Sequence, residues 1–241
     1  MKHLAIAAAA ALLLSGCAQS GDRAARGAGA DAARQLRVAA AAEASGQYDM
    51  AMSLYASAAQ ANPSDPVVAE RYATALIRAG QPQQARQALA EARAKNPRNA
   101  ALALTEARTL LELGEAQQAL GVFDAHLATA PSDAKALNGR GIALDLLGRH
   151  DEARRAYQAA RQADPNSSVA AGNLALSLLL SGCPDAAAGL LQGTPRSAGT
   201  ADWLGQMQGL ARDLSPAAGE DPGAAALRRA LPATGGGCAT S

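Results

Sequence analysis

The sequence predicts an all-α fold: a right-handed superhelix of five 34-residue helix-turn-helix repeats, closed by a capping helix. Three observations predict it. The chain is 49% hydrophobic but only 2% aromatic, and its alanine, leucine, arginine, glutamine and glutamate head the helix-propensity scale. No long stretch alternates with the period of two that a half-buried strand requires. Glycines fall at 46, 80, 114, 148 and 182 and prolines at 63, 97, 131 and 165, all spaced by 34 residues.

Each repeat can be read in order from its punctuation. Asp31, Asp65, Asn99, Asp133 and Ser167 share the period, and all are residue types whose short side chains cap a helix N-terminus. The periodic glycine ends the first helix, where the residue after the C-cap commonly needs a positive φ. In the fourth repeat the second helix runs from about His150 to Ala163, and Pro165 stops it because proline lacks an N–H. Small residues recur where the two helices cross: Ala39, Ala73, Ala107, Gly141 and Ala175 on the first, Ala51, Ala85, Ala119, Ala153 and Ala187 on the second. Four residues after each of the latter comes a bulky one: Tyr55, Leu89, Phe123, Tyr157, Leu191. Small-against-large complementarity lets each helix pair nest on the next.

This grammar resembles the tetratricopeptide (TPR) repeat, with units at 32–65, 66–99, 100–133, 134–167 and 168–199. Two departures stand out. His126 and Thr194 occupy a position late in the second helix that is usually small, and Gly189, Gly193 and Pro195 should shorten the last helix. In 200–214, Trp203, Leu204, Met207 and Leu210 make one apolar helix face, read as the cap that a repeat array needs at its end. Residues 215–241 are rich in Pro, Gly and Ala and are expected to be a mobile tail.

The N-terminus reads MKHLAIAAAAALLLSGCAQS. Lys2 precedes an apolar stretch, Leu4–Leu14, that is too short to span a bilayer and suits a signal peptide over 1–16. Leu14-Ser15-Gly16-Cys17 resembles the bacterial lipobox, which implies cleavage before Cys17 and lipidation of its thiol. Two or three acyl chains anchor firmly where one does not. Ala18 stands where an aspartate would signal inner-membrane retention, so the expected address is the periplasmic face of the outer membrane. Residues 17–31 form a lipidated, flexible tether.

Other classes of function find no support. A net charge of +1 gives no global field for nucleic acid. The three histidines lie apart, and no C-x-x-C, H-E-x-x-H, P-loop or G-x-S-x-G motif occurs. No enzyme, metal or cofactor is expected. The TPR resemblance implies instead a groove, lined mainly by the first helices, that binds a protein or peptide partner. Its polar candidates are Glu70, Thr74 and Arg78; Arg108 and Glu112; Lys135, Asn138 and Asp145; and Asn173. Their mixed signs suggest a polar partner with distributed charge, and the chaperone-binding clamp pattern of this family is absent.

The stretch ALNGRGIALDLLGRHDEARRAYQAARQADPNSSVAAGNLALSLLLSGCPDAAAGLL carries a narrower likeness. Asn138, Gly141, Leu144, Asp145, Leu147, Gly148, Arg149 and His150 fit, with Asn173, Leu174, Leu176, Ser177, Leu178, Ser181 and Gly182. They resemble the TadD lipoproteins of the tight-adherence (Tad/Flp) pilus system. That resemblance implies a role in assembling or localising the pilus secretin; the alternative is a scaffold for periplasmic cell-wall enzymes or another envelope machine. Beyond it, TPRSAGTADWLGQMQGL departs from the family. Of the three cysteines, Cys17 is assigned to lipid, which leaves Cys183, in a turn expected to be exposed, and Cys238 in the tail as a candidate disulfide.

Overall fold

The computed structural model describes residues 29–195 and 201–214. The expected signal peptide, Cys17, the tether as far as residue 28, the tail over 215–241 and Cys238 lie outside these described residues. Eleven helices and no strand occur among them. α1 covers 29–44, followed by α2 (Tyr48–Ala61), α3 (Pro66–Arg78), α4 (Pro82–Lys95), α5 (Ala100–Glu112) and α6 (Ala116–Leu127). Then come α7 (Ala134–Leu146), α8 (His150–Ala163), α9 (Ser168–Leu180), α10 (Pro184–Gln192) and α11 (Ala201–Leu214). Odd-numbered helices are the first, or A, helices of each repeat, and even-numbered ones the B helices. The chain divides into two compact units, 1–105 and 106–241, with the boundary inside α5.

The periodic cap residues act as their chemistry requires. Asp65 Oδ1 accepts from the amides of Val67 (2.8 Å) and Val68 (3.1 Å), and Asn99 Oδ1 from Leu102 (3.0 Å). Asp133 Oδ1 accepts from Lys135 (3.0 Å) and Ala136 (3.1 Å), and Ser167 Oγ from Ala170 (3.3 Å). Asp31 differs. α1 is already helical at residues 29 and 30, so Asp31 lies within the helix and pairs with Arg34 one turn on.

The A helices end alike. Gly46, Gly80, Gly114, Gly148 and Gly182 have φ between 69° and 76°. The amide after each glycine reaches back five residues to a carbonyl, from Gln47 to Ala42 (2.8 Å) through Cys183 to Leu178 (2.9 Å). This 6→1 bond needs the left-handed residue between its ends. B helices stop at Asn62, Asn96 and Asp164, each one residue before a proline, and Asn96 Nδ2 also donates to Ser64 O of the preceding repeat (3.1 Å).

Packing follows the small-large pattern. The five A-helix and five B-helix small positions are all buried, as are Tyr55, Leu89, Phe123, Tyr157 and Leu191. In unit 1–105 these residues join Leu76 and Leu102 in continuous apolar clusters. In unit 106–241, α10 has nine residues where α8 has 14, since Gly193 and Pro195 end it early. α11 packs on α10 and α9, with Leu204, Ala211 and Leu214 buried. Leu204 continues the buried register of Val68, Leu102, Ala136 and Ala170, so α11 occupies the place of a further A helix.

Candidate functional site

The candidate residues lie on A helices, and the structure shows which of them are free to meet a partner. In unit 106–241, α7 and α9 lie side by side. Asn173 Nδ2 donates to Asn138 Oδ1 (3.0 Å), so these two amides engage each other. Asp145 is more committed still. Its Oδ1 accepts from Ser177 Oγ (2.9 Å) and lies 2.8 Å from His150 Nδ1, while its Oδ2 accepts from Tyr157 OH (3.0 Å). Only 13% of its side chain is exposed. Asp145, one of the groove candidates, thus holds three side chains of its own repeat and the next together.

The physical reason is Tyr157. Its ring is buried, and a buried phenol must find an acceptor. Burial first, and then the negative charge of Asp145, push the Tyr157 hydroxyl far above its ordinary pKa, so it stays a donor. The same device recurs in the first repeat, where Tyr55 OH donates to Glu43 (3.2 Å); burial and then Glu43 raise the Tyr55 pKa as well. In register, the other repeats put apolar pairs at these two positions: Ile77 with Leu89, Leu111 with Phe123, Leu179 with Leu191. An acid stands opposite the B-helix residue only where that residue carries a hydroxyl. Those pairs were visible in the 34-residue register, but only once it was known that the two positions face each other.

Arg108, Glu112 and Lys135 remain exposed. The A helices of this unit also carry an apolar strip that charge-based reasoning missed. Leu146 and Leu180 stand 34 residues apart at the same place on α7 and α9, and are 59% and 40% exposed. Ile142 and Leu176, one turn earlier on each helix, are half-buried. The outward side chains of this unit thus include leucines as well as the polar candidates. In unit 1–105, Arg78 pairs with Glu43, and Glu70 lies 3.6 Å from the neighbouring Arg71. Thr74 is half-buried, and its Oγ1 has no hydrogen-bond partner among the described residues.

Three of the chain's six aromatic residues sit directly on glycines. A Cβ at Gly139 would collide with the Phe123 ring, at Gly141 with Tyr157, and at Gly172 with Trp203. Trp203 is half-buried and folds back from α11 over α9, which makes it a cap rather than a free anchor. His126, where a small residue was expected, has Nε2 2.9 Å from Asp133 Oδ2 and so braces the next A-helix cap. Although burial of Asp133 acts to raise its pKa, the Ala136 amide, the His126 ring and the Lys135 amide together hold its carboxyl below the usual value. Cys183 is also corrected. It is 4% exposed rather than open, and its sulfur is disulfide-bonded.

Two family models, each described as a tetratricopeptide repeat, match residues 72–134 and 104–168, and residues 42–95 and 146–209. Together they span 42–209. The chain belongs to the tetratricopeptide-repeat family. Among solved structures, TTC0263, a thermophilic TPR protein in Thermus thermophilus, is similar over 75% of this chain and 98% of its own, at 22% identity and a TM-score of 0.67. MamA (41-end) from Desulfovibrio magneticus RS-1 is similar over 73% of this chain and 96% of its own, at 21% identity and a TM-score of 0.55. At such identities the likeness is one of fold. A search of curated proteins by sequence finds no match. TPR domains bind protein partners and are typically non-enzymatic scaffolds, so the A-helix faces of this TPR protein are its candidate interaction surfaces. Among the described residues no cluster of three or more His, Cys, Asp or Glu could hold a metal ion, and no helix is long and apolar enough to cross a membrane.

Proposed function

We propose that this TPR protein is a non-enzymatic lipoprotein, anchored through Cys17 to the periplasmic face of the outer membrane, that binds a protein partner on its A-helix faces and assists assembly or localisation of the Tad/Flp pilus secretin. One observation carries the pilus reading. Residues that resemble the TadD lipoproteins beyond the general repeat pattern bond to one another: Asp145 with His150 and Ser177, and Asn138 with Asn173. Matched letters that bond to one another in this chain support the reading more than the same number of scattered letters would. The partner contributes apolar side chains, because Leu146 and Leu180 face outward together. The lipobox at Leu14–Cys17 supports the anchor and the address.

Affinity capture of the full-length protein from cross-linked envelopes tests the reading. The pilus secretin or another Tad component is the expected catch, and it is lost with Leu146→Glu/Leu180→Glu. Recovery of cell-wall hydrolases without any pilus component would overturn the reading in favour of an enzyme scaffold. The anchor is tested separately with Cys17→Ser, which should abolish palmitate labelling and membrane pelleting; retained labelling would refute it.

A further inference from the structure

Cys183 is the N-cap of α10, set between Gly182 and Pro184. Its amide donates to Leu178 O (2.9 Å) and its carbonyl accepts from Ala187 (3.1 Å), so its backbone is fixed by the turn. The same turn position holds Gln47, Gln81, Glu115 and Arg149 in the other repeats; Glu115 is half-buried and the other three are exposed. At Cys183 that position is 4% exposed, and the sulfur is disulfide-bonded. The described residues contain no second cysteine, and the chain has only Cys17 and Cys238 besides.

We propose that Cys183 and Cys238 form a structural disulfide that ties the C-terminal tail to the A–B turn of the fifth repeat. The choice of Cys238 over Cys17 rests on the lipid-anchor reading of Cys17. It has independent support in chain reach. α11 packs on α10 and α9, and Cys238 follows its last residue, Leu214, by 24 positions. At roughly 3.3 Å per extended residue the connection can reach up to about 80 Å. The pairing also falls where the array most requires help. α10 is nine residues long, and Gly189 and Gly193 have open space where a Cβ would be. Each repeat is held only by its neighbours, and beyond α10 there is a single helix, α11, among the described residues. The bond closes a ring that contains both α10 and α11.

The chemistry balances as thiol–disulfide exchange. Two thiols lose two protons and two electrons to form one S–S bond, and the disulfide of a thiol oxidant in the same compartment is reduced to a dithiol. A buried, turn-fixed sulfur is shielded from reversal by small thiols.

Peptide mapping of the full-length protein, alkylated without reduction, tests the pairing. One linked peptide pair joining Cys183 to Cys238 is expected, absent after reduction and absent in Cys238→Ser. Free, alkylated Cys183 or a Cys183–Cys183 dimer would overturn this proposal and leave the lipid reading intact. A Cys183–Cys17 link would overturn both. The role is read by hydrogen exchange: amides of α10 and α11 should exchange about ten-fold faster or more in Cys238→Ser or after reduction, with α7 and α8 unchanged. Unchanged exchange in α10 and α11 would refute the stapling role.

Discussion

Tyr157 and Asp145 should behave as one unit, and the protein carries its own control for the experiment. Tyr157 is 2% exposed and donates to Asp145 (3.0 Å), while the third repeat places Leu111 and Phe123 at the equivalent positions. Replacing Asp145 by Leu leaves the Tyr157 hydroxyl buried without an acceptor, which costs about 1–3 kcal/mol. It also strips the acceptor from Ser177, which is fully buried, at about 1 kcal/mol more, so Asp145→Leu should lose about 2–4 kcal/mol. His150 is exposed enough for water to replace its bond. Tyr157→Phe removes one hydrogen bond to a charged acceptor and should cost about 1.5–3 kcal/mol. The double variant restores the leucine–phenylalanine pairing of the third repeat and leaves only Ser177 unpaired. Its loss should be about 1–2 kcal/mol, smaller than that of Asp145→Leu alone. The coupling energy is then about 2 kcal/mol or more, well above the few tenths expected of independent sites. Urea denaturation followed by helical circular dichroism measures all four corners. Additive losses, agreeing within about 0.5 kcal/mol, would refute the argument that the hydroxyl dictates the acid.

Further expectations rest on single features. Gly172→Ala places a methyl where the Trp203 ring lies, so it should shift the tryptophan fluorescence towards the solvent-exposed value and destabilise by about 1–3 kcal/mol, the usual cost of overpacking. Gly148→Ala meets no neighbour but holds φ at 73°, so it should cost about 1–2 kcal/mol of unfolding free energy through backbone strain alone. Asp133 is held below its ordinary pKa in the folded state, so its contribution is complete above the unfolded value of about 4 and is lost as pH falls through the lower folded value. Asp133→Asn keeps a capping oxygen but cannot titrate. Urea midpoints taken between about pH 5 and 2.5 should therefore fall less steeply for the variant than for the native chain. Leu146→Glu/Leu180→Glu should leave the thermal midpoint within a few degrees of native, because both side chains are exposed, while weakening partner capture at least ten-fold.

What could be read in advance, and what could not, follows from the range of the interactions. Capping by Asp65, Asn99, Asp133 and Ser167 involves atoms two or three residues away, and the glycine exits involve five. Such local devices leave their signature in any one repeat, and the 34-residue period multiplies it. The buried alanines and the bulky residues beside them were legible for the same reason. Asp31 misled because its letter matches the cap register, whereas whether a helix starts there depends on the residues before it. The candidate site needed a different kind of information. Register says that Asn138, Asp145 and Asn173 lie on A helices, but not that Asn173 meets Asn138 across an offset of 35, or that Ser177 meets Asp145 across 32. Those offsets are set by how neighbouring helices lean on one another, which no single repeat encodes.

The same reasoning changes what counts as a recognition surface in this chain. A polar residue on an A helix reads as a binding group, and an apolar one as core, when only composition and period are known. In the fourth and fifth repeats that reading does not describe Asp145, Leu146 or Leu180. Asp145 is drawn inward because a tyrosine fills the B-helix position, and Asn173 Nδ2 donates to Asn138 Oδ1. Leu146 and Leu180 come after the last inward-facing turn of their helices, two residues before the periodic glycine, where neighbouring side chains cover each of them only in part. Their placement one period apart makes the strip a property of the array rather than of one exposed leucine, and a lone exposed leucine needs no explanation. The polar groups therefore fix the geometry of α7 against α9, and the leucines they leave outside offer the apolar contact that a protein partner can bury.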